Sequence, residues 1–377
     1  MTNSRELPRL LQPADLGALR LPNHLVMAPM TRNRAAADGT PTPIMATYYA
    51  QRATAGLIIA EAATPNAVGQ TYPNITAIHN EAHVAGWRRV TDAVRAEGGR
   101  MFLQIQHGGR IGHPDTSGLH PVAPSPIPLP ETIFTPHGHQ PPVVPREMTA
   151  AEIRSTVADF AAAARNAVDA GFAGVEVHGA NGYLLHQFLA RNTNQRADDY
   201  GGPVAHRIRF HVEVVRAVVE AVGAERVGLR LSPGLVVNGV EEDDTEEIYP
   251  ALVDALADLD LAYLHIVFAD PDKPVFQEIR KRWAGPLIAN PALPQNPTTL
   301  DIHHHGERLL AAGADLIALG RPFLANPDLV ERLRVNAPLN PVQSAHLMYV
   351  GGETGYTDYP VLADLRQETE AAQPVAP

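Results

Sequence analysis

Residues 178–189 read His-Gly-Ala-Asn-Gly-Tyr-Leu-Leu-His-Gln-Phe-Leu. The segment sets an imidazole at His178, an amide at Asn181 and a phenol at Tyr183 within six residues. An imidazole and an amide side by side can both donate to one carbonyl oxygen and stabilise negative charge that develops there. A phenol is still protonated at neutral pH and can deliver its proton beside that oxygen. The run just before, Gly174-Val-Glu-Val177, is apolar enough to read as a strand. The chemistry would therefore sit where a strand ends.

Other polar residues recur at the same kind of place. Short apolar runs cover residues 24–30, 56–62, 100–107, 174–180, 227–233, 262–267, 286–290 and 316–320. Helical spacing fills segments between them, such as 149–170, 206–222, 246–259 and 298–312. Alternating strands and helices imply parallel pairing and right-handed crossovers. Near-continuous apolar strands suit a sheet buried on both faces. Eight such units closing on themselves make an α/β fold, a (β/α)8 TIM barrel, in a single domain over 1–377. A doubly wound open sheet would need a glycine-rich turn after the first strand, and Pro29-Met-Thr-Arg-Asn33 is not one. In the barrel, Thr31 follows strand one, and Gln104 and His107 close strand three. His178 and Asn181 follow strand four, Arg230 is late in strand five, and Arg321 follows strand eight. Barrel active sites are built at this C-terminal rim.

Two additions to a plain barrel are expected. Residues 8–23 read as an N-terminal hairpin that closes the barrel bottom. Residues 108–148 form a long insertion after strand three, and its ten prolines, from Pro114 to Pro145, argue for a capping loop instead of a further strand–helix unit. Residues 366–377 are expected to form a flexible tail.

Composition narrows the chemistry. The chain lacks cysteine, which excludes thiolate catalysis and cysteine-bound metal clusters. Lysine stands only at Lys273 and Lys281, which leaves Schiff-base chemistry two candidates. A net charge of −11 argues against nucleic acid as a partner. No stretch reaches the ~20 apolar residues of a membrane helix, and the N-terminus has no apolar signal core, so the expected location is cytoplasmic.

Taken together, these residues resemble the Old Yellow Enzyme family of FMN-dependent ene-reductases. The resemblance runs from about residue 11 to residue 360. It is carried by Asn23-His-Leu-Val-Met-Ala-Pro-Met-Thr-Arg32, Gly56-Leu-Ile-Ile-Ala-Glu-Ala62 and residues 178–191. Further markers are Asn194-Gln-Arg-Ala-Asp-Asp-Tyr-Gly-Gly202, Gly320-Arg-Pro-Phe-Leu-Ala-Asn-Pro-Asp-Leu329 and Gly355-Tyr-Thr-Asp-Tyr-Pro360. Each is weak alone, and together they are specific.

The resemblance implies a non-covalent FMN at the rim and NAD(P)H as co-substrate. It implies that Thr31 meets the flavin carbonyl O4, and that Gln104 and Arg230 meet the pyrimidine edge. Pro29, Met30 and Ala62 would line the ring, and Asn290, Gly320 and Arg321 would surround the phosphate. His178 and Asn181 would hold the oxygen of a small activated alkene, an α,β-unsaturated carbonyl or nitroalkene. Hydride from flavin N5 would reach the β-carbon while Tyr183 protonates the α-carbon. Tyr72 and Tyr349 would wall the substrate pocket. A monomer or homodimer is implied. Two positions distinguish this chain: Asn181 stands where some relatives carry histidine, and Gln106 where many carry a bulky aromatic. Thr31 separates it from the branch with cysteine there.

Other readings exist. Nitrate-ester or nitroaromatic reduction would use the same site. A metal-dependent barrel hydrolase, prompted by the 17 histidines, needs ligands converging from several strand ends, and strand one offers only His24 at its wrong end. A non-catalytic scaffold leaves the polar rim without a purpose. His303-His-His305 point in different directions on a helix and read as a solvated face. The acidic residues of 241–247 precede a helix, whose dipole they would complement.

Overall fold

The computed structural model describes residues 7–364, so the tail expected at 366–377 lies outside the described residues. Eight parallel strands form the central sheet: β1 (Leu25–Met27), β2 (Leu57–Thr64), β3 (Met101–Ile105), β4 (Gly174–His178), β5 (Val227–Leu231), β6 (Tyr263–Ala269), β7 (Leu287–Pro291) and β8 (Leu316–Leu319). Each pairs with its sequence neighbours, and β8 pairs back onto β1, which closes the barrel. The outer ring is α1 (Pro43–Ala50), α2 (Glu81–Ala96), α3 (Ala150–Asp169), α4 (Arg209–Val222), α5 (Thr245–Leu256), α6 (Pro274–Arg282), α7 (Thr299–Ala311) and α8 (Leu329–Val335). The (β/α)8 barrel expected from the alternation is the observed fold.

Local chemistry sets the boundaries. Thr149 and Glu152 form a reciprocal capping box that starts α3, and Thr298 with Asp301 does the same for α7. The first strand is shorter than residues 24–30, because Pro29 has no N–H for the ladder. The helix expected over 206–222 divides into a turn, Val204–Arg207, and α4. Arg207 turns inward between them and bonds Leu189 O, Gly202 O and Asp244.

Alternation along the strands sends odd residues outward and even residues inward, or the reverse. Inward-facing Phe102 and Tyr263 fill the lower barrel, with ring centroids 5.6 Å apart. They fit because their neighbours are glycines. A Cβ on Gly228 would lie 2.2 Å from the Tyr263 ring, and one on Gly174 2.5 Å from the Phe102 ring. Below them, the hairpin Ala14–Leu16/Leu19–Leu21 packs Leu16 and Leu21 against Val26, Leu57 and Leu316. The hairpin is narrower than residues 8–23, since Arg9–Leu11 form a 3-10 turn.

Two devices reach over the upper rim. The insertion at 108–148 contains a small parallel pair, Val122–Ala123 with Arg146–Glu147, and a hairpin, Ile133–Thr135/Gly138–Gln140. Buried Arg110 ties it down by donating to Ile127 O, Pro128 O and Asn238 O. Its Ile111, Leu129 and Ile133 pack with Tyr72 and Tyr183. From the other side, Arg32 and Arg34 grip the segment that carries Tyr349. Arg32 donates to Met348 O at 2.9 Å and Gly355 O at 2.8 Å. Arg34 donates to Leu347 O at 2.8 Å and Val350 O at 2.7 Å. The rings of Tyr48 and Tyr356 stack at 4.0 Å, with Arg52 over the first and Arg34 over the second. Cation–π contacts in a desolvated cluster are worth about 2 kcal/mol each.

Gly228→Val should force the Tyr263 ring out of place and cost about 2 kcal/mol of stability. An unchanged urea midpoint would show that the ring moves freely. Arg34→Met should leave the barrel intact and speed amide exchange across 346–356 by about tenfold. Exchange at the wild-type rate there would mean that the arginine grip does not hold the segment.

Candidate active site

Above the aromatic floor the barrel interior becomes polar. Gln104 from β3, Glu176 and His178 from β4, Arg230 from β5 and His265 from β6 are all buried. Asn290 of β7 joins them half-buried. Register explains the level: Gln104 lies beside Glu176, His178 beside Arg230, and Arg230 beside His265. Glu176 Oε1 accepts from Gln104 Nε2 at 2.8 Å, and Glu176 Oε2 pairs with His265 Nδ1 at 2.8 Å. Gln104 Nε2 also lies 3.2 Å from His178 Nδ1. Arg230 Nη2 donates to Asn290 Oδ1 at 3.1 Å, and Asn290 Nδ2 to Ala318 O at 3.0 Å.

Burial and charge set the protonation states here. Burial would push the Glu176 carboxyl up, but His265 and Arg230 outweigh it and hold the group below the usual carboxylate range. Burial, then the charge of Arg230, drives the His178 imidazole well below its ordinary value, so it is neutral. Arg230 is 5% exposed, and its Nε has no hydrogen-bond partner among the described residues. A guanidinium keeps its charge even when buried, so this donor is an open request for an acceptor.

The loop after β4 carries the remaining lip. Asn181 adopts a left-handed conformation at φ +56°, and Gly182 follows at φ +78°. A Cβ on Gly182 would fall 2.7 Å from the Asn238 side chain, so only glycine fits. Asn181 N donates to Ser232 Oγ at 2.9 Å, and its carbonyl accepts from Asn238 Nδ2 at 2.8 Å. Gly182 N donates to His186 Nδ1 at 2.9 Å, which leaves the His186 Nε2–H to face Glu242 Oε1 at 3.2 Å. Tyr249 donates to the same carboxylate at 2.8 Å. Glu242 is thus an interior support of the lip. The acidic run does precede a helix, α5, with Glu246 and Glu247 in its first turn, and Asp244 before it pairs with Arg191 and Arg207.

Tyr183 follows at the start of the turn Leu184–Leu189, its ring 5.2 Å from that of His178. Burial raises its phenol well above the ordinary value, and the neighbouring Tyr72 raises it further. Tyr72 is raised by burial too. Tyr349 is 47% exposed. His107 is buried and neutral, pushed down to about 3 by burial, with Nδ1 accepting from Gly109 N at 3.1 Å. Gln106 is buried as well, its N–H bonded to Ala63 O at 3.0 Å.

Beside β1, Pro29 and Ala62 are buried while Met30 and Thr31 are half-buried. Glu61 stands under them. Its Oε2 accepts from Arg32 N at 3.3 Å and its Oε1 from the Tyr49 hydroxyl at 3.2 Å. Burial lifts this carboxyl to about 7 against the pull of Arg32. Glu61 thereby fixes the peptide next to Thr31. At β8, Gly320 leads into the short turn Arg321–Ala325, and a Cβ on Gly320 would meet Met30 Sδ at 3.3 Å. Arg321 is exposed there.

The structure therefore places Gln104, His178, Arg230 and Asn290 at one level, with Gln104 bonded beside His178 and Arg230 bonded to Asn290, and Asn181, Tyr183 and Tyr72 on its lip. Arg321 and Tyr349 stand toward solvent and bond to none of that layer. Sequence reasoning left out Glu176, His265 and Glu61. A signal existed for Glu176: it lies two residues before His178 on one strand, so both must face inward. Among the described residues, no group of three or more His, Asp or Glu side chains is arranged to hold a metal ion, and no helix is long and apolar enough to cross a membrane.

Comparison with known proteins agrees with this architecture. Residues 9–340 match the model of the NADH:flavin oxidoreductase / NADH oxidase family. A probable flavin mononucleotide-dependent alkene reductase of Leishmania infantum is 40% identical, over 95% of this chain and 99% of its own. Among solved structures, the old yellow enzyme homologue of Zymomonas mobilis superposes with a TM-score of 0.89 at 39% identity, covering 94% of this chain and all of that one (100%). Morphinone reductase in complex with tetrahydroNAD gives 0.87 at 42% identity, over 94% of this chain and 98% of its own. The chain belongs to the NADH:flavin oxidoreductase / NADH oxidase family, that of the old yellow enzyme homologues, and is an FMN-dependent oxidoreductase that draws electrons from NAD(P)H.

Proposed function

We propose that this enzyme reduces small activated alkenes, α,β-unsaturated carbonyl compounds or nitroalkenes, at the lip formed by His178, Asn181 and Tyr183. The observation that carries this reading is a neutral imidazole and a protonated phenol, 5.2 Å apart, at the mouth of a buried polar layer. Donors of this kind serve a substrate oxygen that gains charge during reaction.

The residues present fit FMN. The unpartnered Nε of buried Arg230 suits an anionic flavin edge, and Gln104 and Asn290 sit on the same level. The half-buried Thr31 offers a hydroxyl, beside the apolar surface of Pro29, Met30 and Ala62. Gly320 and the exposed Arg321, with backbone near Asn290, would take the phosphate; arginine at the β7–β8 side matches the usual phosphate position of such barrels. Bound there, FMN supplies the hydride that reaches the alkene's β-carbon.

The chain's own residues do the rest. His178 and Asn181 donate to the substrate's carbonyl or nitro oxygen and hold its alkene in place. The negative charge that gathers on that oxygen is stabilised by these two donors. Tyr183 holds its proton on the phenolic oxygen and delivers it to the α-carbon. Ile111, Leu129 and Ile133 of the insertion, together with Tyr72, exclude water from the Tyr183 side. Tyr349, held by the arginine grip, closes the outer wall.

Tyr183→Phe should slow alkene reduction about 100-fold or more, with flavin reduction by NADPH nearly unchanged. Stopped-flow absorbance at the flavin band measures both half-reactions, and equal slowing of the two would count against a proton donor. His178→Ala should weaken binding of enones and phenols by about tenfold or more. Titration of the oxidised enzyme with a phenol reads this directly, and an unchanged affinity would move the oxygen clamp elsewhere.

A further inference from the structure

Glu176 belongs to none of the roles above, yet it is fully buried in the barrel and both its oxygens are engaged. We infer that Glu176 is a positioning residue: it orients the Gln104 amide, and through it holds His178 as the Nε2–H tautomer that faces the substrate's oxygen. The inference rests on the alkene-reductase reading for its consequence, and on geometry for its mechanism.

The argument is one of obligatory donors and acceptors. A carboxylate can only accept. Its Oε1 lies 2.8 Å from one end of the Gln104 amide, so that end must be the NH2 group; the amide oxygen there would face like charge. The same NH2 lies 3.2 Å from His178 Nδ1. An amide nitrogen carries two hydrogens and no acceptor site, so one hydrogen goes to Glu176 and the other to Nδ1. Nδ1 must then be bare. A neutral imidazole with a bare Nδ1 carries its hydrogen on Nε2. The Gln104 oxygen is turned away from Glu176 and remains an acceptor for an imide N–H.

The second carboxylate oxygen keeps the arrangement anchored. Oε2 is bound by His265 Nδ1 at 2.8 Å, and the cation of Arg230 stands beside the pair. Tyr263 also faces the carboxylate from β6. Without the charge on Glu176, no other side chain of this layer would tell the two ends of the Gln104 amide apart in the flavin-free protein. A flipped amide would accept from Nδ1–H, and His178 would turn a lone pair toward the lone pairs of the substrate's oxygen. The donor would become a repulsion with no atom displaced.

Imidazole nitrogen NMR on protein labelled with 15N-histidine tests this, and His178→Asn identifies the His178 signals. The wild type should show a bare Nδ1 and a protonated Nε2 at His178. Glu176→Gln, which makes the amide partner ambiguous, should shift both signals toward tautomer exchange. The same variant should lose about tenfold in affinity for 4-hydroxybenzaldehyde, read by its visible difference spectrum, while FMN stays bound. In a His178→Asn background, Glu176→Gln should change that affinity by less than about twofold, because the route runs through His178. An unchanged tautomer in Glu176→Gln, or the full loss persisting in the His178→Asn background, would overturn the inference. Should Glu176→Gln not fold, Gln104→Leu cuts the same route one bond later, and the same tautomer signals are expected from it on flavin-free protein. The tautomer is equally readable on flavin-free protein. Failure to bind FMN would therefore sink the functional reading and leave this one to its own spectrum.

Discussion

A closed parallel barrel has no room for water around a charge in its interior, so every charged group there must be answered by another. In this enzyme the constraint falls on Glu176 and Arg230. An unpaired carboxylate or guanidinium at that depth would cost several kcal/mol. Their mutual presence, with His265 and Gln104 completing the hydrogen bonds, makes the layer tolerable. The layer in turn dictates what stands above it. His178 lies next to Arg230 across the β4–β5 ladder, and a second positive charge there would have no partner, so the imidazole stays neutral.

The layer needs a firm floor and a firm lip. Phe102 and Tyr263 supply the floor, and they fit only because Gly174 and Gly228 surrender their side-chain space on adjacent strands. The hairpin below closes the apolar end from water. The lip hangs on buried carboxylates at two points. Glu242 steadies His186, which receives the Gly182 N–H, and Glu61 receives the Arg32 N–H beside Thr31. Acidic groups thus act as backbone anchors behind the rim, while the groups at the rim itself are neutral donors. Arg32 and Arg34 extend the logic outward: they bind carbonyls of 347–355 and fix a loop whose own sequence has little means to order itself.

Much of this was legible in the chain. The eight strands and their order follow from apolar runs alternating with helical periods, and the rim positions of Gln104, His178 and Arg230 follow from where those runs end. Helix starts at Thr149 and Thr298 were readable because capping boxes are local. What escaped is non-local. Glu176 and Glu242 look alike as letters, one in a strand and one in an acidic run. Only the closed barrel sets the first against His265, 89 residues away, and the second against His186. The grip of Arg32 and Arg34 left no local signal, because their partners lie more than 300 residues on, in a segment with no periodic pattern. Arg321 is the opposite case: its place after β8 follows from the alternation, and its side chain stands exposed.

The separation of charge by depth bears on how such a site can serve varied acceptors. Charges that compensate one another deep in the barrel fix the electrostatic field without depending on what enters above. The lip offers hydrogens from His178, Asn181 and Tyr183, none of which gains or loses charge near neutrality: the histidine is driven down, the amide does not titrate, and the phenol is driven up. In the proposed reaction a carbonyl or a nitro group is received by the same donors, since each presents an oxygen and brings no charge of its own. Discrimination then falls to shape. The surfaces around the lip that stand outside the charge network are the insertion's Ile111, Leu129 and Ile133, the ring of Tyr72, and the tethered segment with Tyr349. These surfaces are held by Arg110, Arg32 and Arg34, but Ile111, Leu129, Ile133 and Tyr72 also pack with Tyr183, and Tyr72 adds to burial in raising its phenol, so altering them reaches the proposed proton donor as well as the shape of the site.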